Sequence, residues 1–223
     1  QSLKDNILDG ILTRGSFLYH EVRFVLQQEL REPRNYFAIL QAIAAGKTRL
    51  NEIKQATGID GATAYLDTLQ QLHLVERLVP VTETQPQKSR RGIYRLKDQY
   101  LRFWFRYVHP NRSQLERGAA QTILENQILP EIDHFASLTF EEVCQQFFWQ
   151  AGLSKKLTFA PTNIGHWWNA HEEIDLIVLG ENDAILVECK WTSKPVGTDI
   201  LAELERKAQR AKAELEDRHI SFA

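Results

Sequence analysis

Asp175, Glu188 and Lys190 are the residues of this chain whose types and spacing are best suited to chemistry. They lie in EIDLIVLGENDAILVECKW, residues 173–191, where two apolar runs fit to be strands (174–179 and 184–191) flank the turn-forming Gly180, Asn182 and Asp183. A two-residue loop (Glu181, Asn182) and a four-residue loop (180–183) both pair Leu179 with Ala184. Stepping back along both strands brings Asp175 opposite Glu188. Strand side chains alternate, so Lys190 shares that face, while Ile174, Leu176, Val178, Ile185, Val187, Cys189 and Trp191 cover the other. Like charges directly opposed destabilise a strand pair unless something neutralises them, and a divalent cation would do so. Mg²⁺ usually takes one or two carboxylates, retains waters and leaves positions for phosphate oxygens, and Mn²⁺ is the alternative ion. Asp175 and Glu188 are therefore the expected metal ligands. Lys190 is placed to orient an attacking water or to stabilise developing negative charge. The same short pattern also fits a solvent-facing hairpin edge with an ordinary salt bridge.

A third acid stands on the helix before the hairpin. In FEEVCQQFFWQAG, at 100° per residue, Phe140, Val143, Cys144, Phe147 and Ala151 form one apolar stripe, with Glu141 at its margin and Glu142 nearly opposite. Only Glu141 can lean toward the sheet. The expected catalytic set is thus Glu141, Asp175, Glu188 and Lys190.

The rest of the chain must position these groups. Its 223 residues suffice for one large or two small domains, and 43% hydrophobic with 25% charged residues is ordinary globular composition. No uncharged apolar run approaches membrane-spanning length and the N-terminus lacks a signal-peptide pattern, so a cytoplasmic protein with no membrane partner is expected. Cys144 and Cys189 lie inside apolar patterns without metal-like spacing, which favours buried free thiols. A net charge of −2 argues against a broadly basic nucleic-acid coat without excluding a local patch. The chain begins at Gln1 and contains no methionine, which suggests a segment of a longer polypeptide.

Residues 1–30 carry apolar positions at helical spacing (Leu18, Val22, Val25, Leu26) and stop at Arg31 and Pro33, reading as helices that end a preceding domain. NYFAILQAIAAG, RLNEIKQATG and GATAYLDTLQQLHLV then predict three helices, and LVERLVPV and GIYRLKD predict two strands around the polar tip TETQPQKSRRG. Three helices followed by a β-hairpin is the winged-helix arrangement. The triplet Gly46, Lys47, Thr48 is no phosphate-binding loop, because Gln41 stands where that loop needs glycine. The third helix has no lysine or arginine from 60 to 72, so the phosphate contacts that dominate DNA affinity are missing there. Lys88, Arg90, Arg91 and Arg95 cluster on the wing and are the expected nucleic-acid-binding residues, although such a run also describes a solvated loop. Tyr100, Phe103, Trp104, Phe105 and Tyr107 fit stacking on bases or, preferably, an interdomain core. Helices are expected over 113–129, 137–151 and 198–217, with the start of a strand at HISFA.

A helix bearing an acid, a strand with Asp, a strand with Glu-x-Lys and a second helix resemble the core of the PD-(D/E)xK restriction-endonuclease-like superfamily. RNYFAILQAIAAGKTRLNEIKQATGI, YLRFWFRYVHPN, LTFEEVCQQFF and IGHWWNAHEEIDLIV…ILVECKW together resemble the C-terminal region of an archaeal-type AAA ATPase family, over most of residues 16–210. In that family a nucleotide-binding domain precedes a winged helix and a nuclease-like domain. The resemblance implies an α+β / α/β chain: helices at 1–30 that would end the preceding ATPase domain, a winged helix at 31–110, and an α-β-β-α nuclease-like domain with a mixed sheet at 111–223. It implies an Mg²⁺- or Mn²⁺-dependent deoxyribonuclease site, DNA and a protein or the chain's own ATPase domain as partners, and ATP bound only by a domain absent from this chain. The alternative is a DNA-binding or protein-docking module with a vestigial nuclease-like site. Ile174 replaces the superfamily's proline, and the family's fold is expected to continue past Ala223.

Overall fold

The computed structural model describes residues 2–30 and 33–223, so the expected helix stop at Arg31 lies outside the described residues. The chain divides into two units, Gln1–Leu78 with Ile93–Ile132, and Val79–Gly92 with Asp133–Ala223. The expected boundaries at 30/31 and 110/111 do not coincide with this division. The first helices and residues 111–132 belong to unit 1, and the tip of the hairpin belongs to unit 2.

In unit 1, α1 (Leu3–Ile7) runs into a π turn, and α2 (Phe17–Glu29) starts where the Ser16 hydroxyl accepts from the Tyr19 N–H at 3.3 Å. Pro33 does not end a helix but opens α3 (Pro33–Ala44), because its fixed φ and missing N–H cost nothing at a first helical position. α4 (Leu50–Thr57) is closed by Gly58 at φ 68°, a left-handed cap that glycine adopts without a Cβ clash. α5 (Ala62–Gln71) follows, then β1 (Val75–Leu78) and β2 (Ile93–Leu96), antiparallel with Val75 opposite Leu96. Ile39, Leu40, Ile53, Leu66, Leu69 and Leu96 are wholly buried. After α6 (Gln99–Phe103), capped by Asp98, the aromatic group fills this unit's own interior. Trp104, Phe105 and Tyr107 are buried, and the Trp104 ring stacks on His109 at 5.2 Å. The single helix expected over 113–129 is instead α7 (Arg112–Leu115), α8 (Ala120–Ile123) and a π turn, because Gly118 at φ 87° breaks the run.

Beyond residues 79–92, unit 2 contains nearly all of α9 (Ile132–Leu153), then β3 (Asn163–Trp168), β4 (Glu173–Leu179), β5 (Asp183–Val187), α10 (Thr198–Leu215) and β6 (His219–Phe222). The mixed sheet has the order β3-β4-β5-β6; only the β5–β6 pair is parallel, and α10 supplies the crossover that a parallel pair requires. Both faces of β4 are covered, which explains its nearly unbroken apolar run. Ile177, Leu179, Ala184 and Leu186 pack with Leu204, Ala208, Ala211 and Leu215 of α10, while Leu176, Val178 and Val187 pack with Phe148 and Cys144 of α9. Ile174, expected with the second set, packs with the first; its partner Trp167 follows a shift in the β3–β4 register.

β3 was not anticipated as a strand. Its NIGHWW sequence lacks clean alternation, and it is fixed by long-range contacts. The Val81 N–H donates to the His166 carbonyl at 2.9 Å, and Gly165 admits this close approach, since a Cβ there would stand 3.3 Å from Val81. Among the described residues no helix is long and apolar enough to cross a membrane.

Candidate active site

The hairpin adopts the register that loop parity required. Leu179 faces Ala184, and the ladder continues to Leu176–Val187. Beyond its last pair the strands are held by a side chain: Oδ2 of Asp175 accepts the Cys189 N–H at 2.7 Å. Glu188 is fixed through its backbone, whose N–H donates to the Ala223 carbonyl at 3.1 Å alongside β6. The acid and the strand end that carries it are thus built from three strands.

Both Glu188 oxygens hold an ammonium group. Lys190 Nζ donates to Oε1 at 2.5 Å, and Lys207 Nζ, from α10, donates to Oε2 at 3.0 Å. The Glu188 side chain is 10% exposed and that of Lys207 13%, against 39% for Lys190. Burial pushes the Asp175 carboxyl above its usual range, the Cys189 N–H opposes this, and the Glu188 charge adds to the rise. Burial also acts to raise Glu188, but the hydrogen bonds from Lys190 and Lys207 outweigh it and hold Glu188 below the usual range. Lys190 is raised by its bond to Glu188. Two neighbouring carboxyls driven in opposite directions by their surroundings are a common arrangement where acid and base roles are divided.

Glu141 occupies a different position. Its Oε2 is 3.8 Å from His166 Nδ1, and its charge acts on the Cys189 thiol, which faces α9 and meets Cys144. That thiol is pushed well up, by burial first and then by its hydrogen bond with Cys144. Both cysteines are free, and they are half-buried rather than fully enclosed. Trp191 is 52% exposed and lies against Phe140 of α9. Two carboxylates suit Mg²⁺, whose shell is normally completed by water. No group of three or more His, Cys, Asp or Glu side chains arranged to hold a metal occurs among the described residues, so Glu141 is not seen to close a three-carboxylate cage with Asp175 and Glu188.

Sequence reasoning missed Lys207. The signal was present: at 100° per residue it sits beside the buried stripe of Leu204, Ala208, Ala211 and Leu215, at the edge where a long side chain reaches the sheet.

Of the expected nucleic-acid-binding residues, two are committed elsewhere. The Arg91 guanidinium bonds Glu83 and both oxygens of Glu214 (2.8 and 2.9 Å), and Arg95 bonds Glu76 at 2.9 Å. Glu214 also accepts from Thr82 and Trp167, and the Arg91 carbonyl accepts from Trp168. Lys88 and Arg90 are exposed.

The molecule is a mixed α+β protein whose polar cluster lies at the end of a four-stranded sheet. Its residues 104–211, which include Glu141, Asp175, Glu188, Lys190 and Lys207, match DUF234, described as archaea bacterial proteins of unknown function. A protein of Methanocaldococcus jannaschii, named Uncharacterized protein MJECL04, is 39% identical over 180 residues, which cover 79% of this chain and 40% of that protein. The chain thus spans less than half the length of this relative. No solved structure matches.

Proposed function

We propose that unit 2 carries a PD-(D/E)xK nuclease-like site that hydrolyses phosphodiester bonds of DNA with Mg²⁺ or Mn²⁺, and that α3–α4–α5 with the β1–β2 hairpin act as a winged helix presenting DNA. The observation that carries this reading is the convergence of Asp175, Glu188 and Lys190 at one end of the β4–β5 pair. The order of helix, Asp-bearing strand, Glu-x-Lys strand and second helix supports it. In this reading Asp175 and Glu188 would hold the cation, which would supply a Lewis acid for the phosphate and a more acidic water. Lys190, which lies at the same sheet end, would position a water or the developing charge. Glu141, on α9 beside His166, would assist the metal or its water. The chain would then be the C-terminal part of an archaeal-type AAA ATPase, with ATP bound by a domain outside it.

The test is cleavage of single-stranded, duplex and branched DNA, and of RNA, with Mg²⁺, Mn²⁺ or chelator. Metal-dependent cleavage of DNA, lost in Asp175→Asn, Glu188→Gln and Lys190→Ala, is expected. Cleavage that survives in Asp175→Asn would remove the assignment. A second reading, a DNA-binding or protein-docking module with a vestigial site, is favoured by one feature: Glu188 is already neutralised by two lysines, as in a purely structural cluster. That reading predicts no metal response and no cleavage.

A further inference from the structure

Lys207 lies seventeen residues beyond Lys190, on another element, yet reaches the same carboxylate from the opposite side. α10 fixes its stem. Leu204, Ala208 and Ala211, three residues before, one after and four after, are buried against the sheet, so the ammonium is directed to the sheet end that bears Glu188. With 13% of its side chain exposed, Lys207 has given up much of its hydration and needs an anionic neighbour. Glu188 meets that need, but it also serves Lys190. A divalent cation on Asp175 and Glu188 would place like charge beside both ammonium groups and compete for the same oxygens. Lys207 would then require another anion at the same spot, and a phosphate of bound nucleic acid is the anion such a site exists to receive.

We propose, resting on the phosphodiester reading above, that Lys207 is a substrate-binding residue that contacts a non-bridging phosphate oxygen of DNA from α10, opposite Lys190. Lysine binds phosphate as a point charge, so arginine should substitute for it in part, whereas neutral residues should not.

The test measures binding of a short fluorescent DNA duplex to the 223-residue chain by anisotropy, at fixed Ca²⁺ and varied KCl, for wild type, Lys207→Ala, Lys207→Gln and Lys207→Arg. Loss of one phosphate contact should reduce the log–log salt slope by about 0.9 and weaken binding about tenfold in the alanine and glutamine variants. The arginine variant should keep the slope. Glutamine is one bond shorter than lysine but keeps a polar donor, so it reports if alanine unfolds the site; thermal unfolding establishes which variants are folded. The inference is overturned if the folded alanine or glutamine variant matches wild type in slope and affinity, if arginine loses as much as they do, or if wild type does not bind the duplex. Failure of the underlying reading is separately visible, since wild type and Asp175→Asn would then show the same thermal response to Ca²⁺. A slope change at Lys207 without that metal response would leave a phosphate contact in a module that is not a metal-dependent site.

Discussion

Replacing Arg91 with alanine separates a structural from a DNA-contacting role for the wing charges. The guanidinium bonds Glu83 and, through two nitrogens, Glu214, and it also donates to the Trp168 carbonyl at 3.3 Å. Hydrogen bonds to charged groups contribute about 1.5–3 kcal/mol when buried, and fully exposed ion pairs about 0.2–1 kcal/mol. Arg91 is 31% exposed, Glu83 20% and Glu214 32%, so these contacts fall between the two limits. Glu214 keeps its bonds from Thr82 and Trp167, while Glu83, 20% exposed, loses the guanidinium and must turn to water. A loss of about 2 kcal/mol is expected, which for a chain of this size lowers the midpoint by roughly 4–8 °C. Trp149, Trp167, Trp168 and Trp191 all lie in unit 2, so tryptophan fluorescence on heating follows the relevant unit. Arg90→Ala, at an exposed position, should stay within about 0.5 kcal/mol of wild type while flattening the salt dependence of DNA binding by about 0.9 in slope. If Arg91→Ala instead unfolds like wild type and flattens the salt slope while Arg90→Ala does neither, the Arg91–Glu83–Glu214 network does not hold in solution and the reasoning fails.

Mg²⁺ or Mn²⁺ should raise the unfolding midpoint increasingly with concentration, reaching about 2.7 kcal/mol of stabilisation at about a hundred times the dissociation constant. Asp175→Asn should abolish the effect and Lys190→Ala should preserve it; an identical response of wild type and Asp175→Asn would make the cluster structural. The His109 ring is held below the usual imidazole range by burial, with Arg112 and Arg23 adding to the effect. The folded state therefore favours neutral His109: its stabilisation is complete above the unfolded imidazole pKa and is lost as pH falls through the lowered folded value. Chemical denaturation between neutral and acid pH should show this loss for wild type, and His109→Phe should reduce it. Gly58→Ala puts a Cβ at φ 68° and should cost about 1 kcal/mol in the stability of unit 1, measured by urea unfolding.

Local periodicity and loop parity determined the parts of the site that depend on neighbouring residues. The even loop fixed Leu179 opposite Ala184, because loop parity acts within a single hairpin, but the expected strand to 191 ends at Val187, and side-chain bonds rather than the ladder join Asp175 to Cys189 and Lys190 to Glu188. The α3, α4, α5 and β1–β2 order was likewise legible, from helical spacing, Gly46 and Gly58, and the polar tip. Tertiary structure alone decided which distant groups answer the charges. Lys207 reaches Glu188 only because α10 crosses from β5 to the parallel β6, and Arg91 is withdrawn into ion pairs only because Glu83 and Glu214 meet it. β3 exists because Val81 and β4 supply partners for a sequence with little strand pattern of its own. The apolar stripe expected on α9 is displaced: Val143 and Phe147 are exposed, Phe148 is buried together with the expected Ala151, and the register of α9 against the sheet sets Glu141 beside His166. Side-chain periodicity specifies a face; the partner on that face is chosen by the packing of elements far apart in sequence, where the chain's local preferences carry no information.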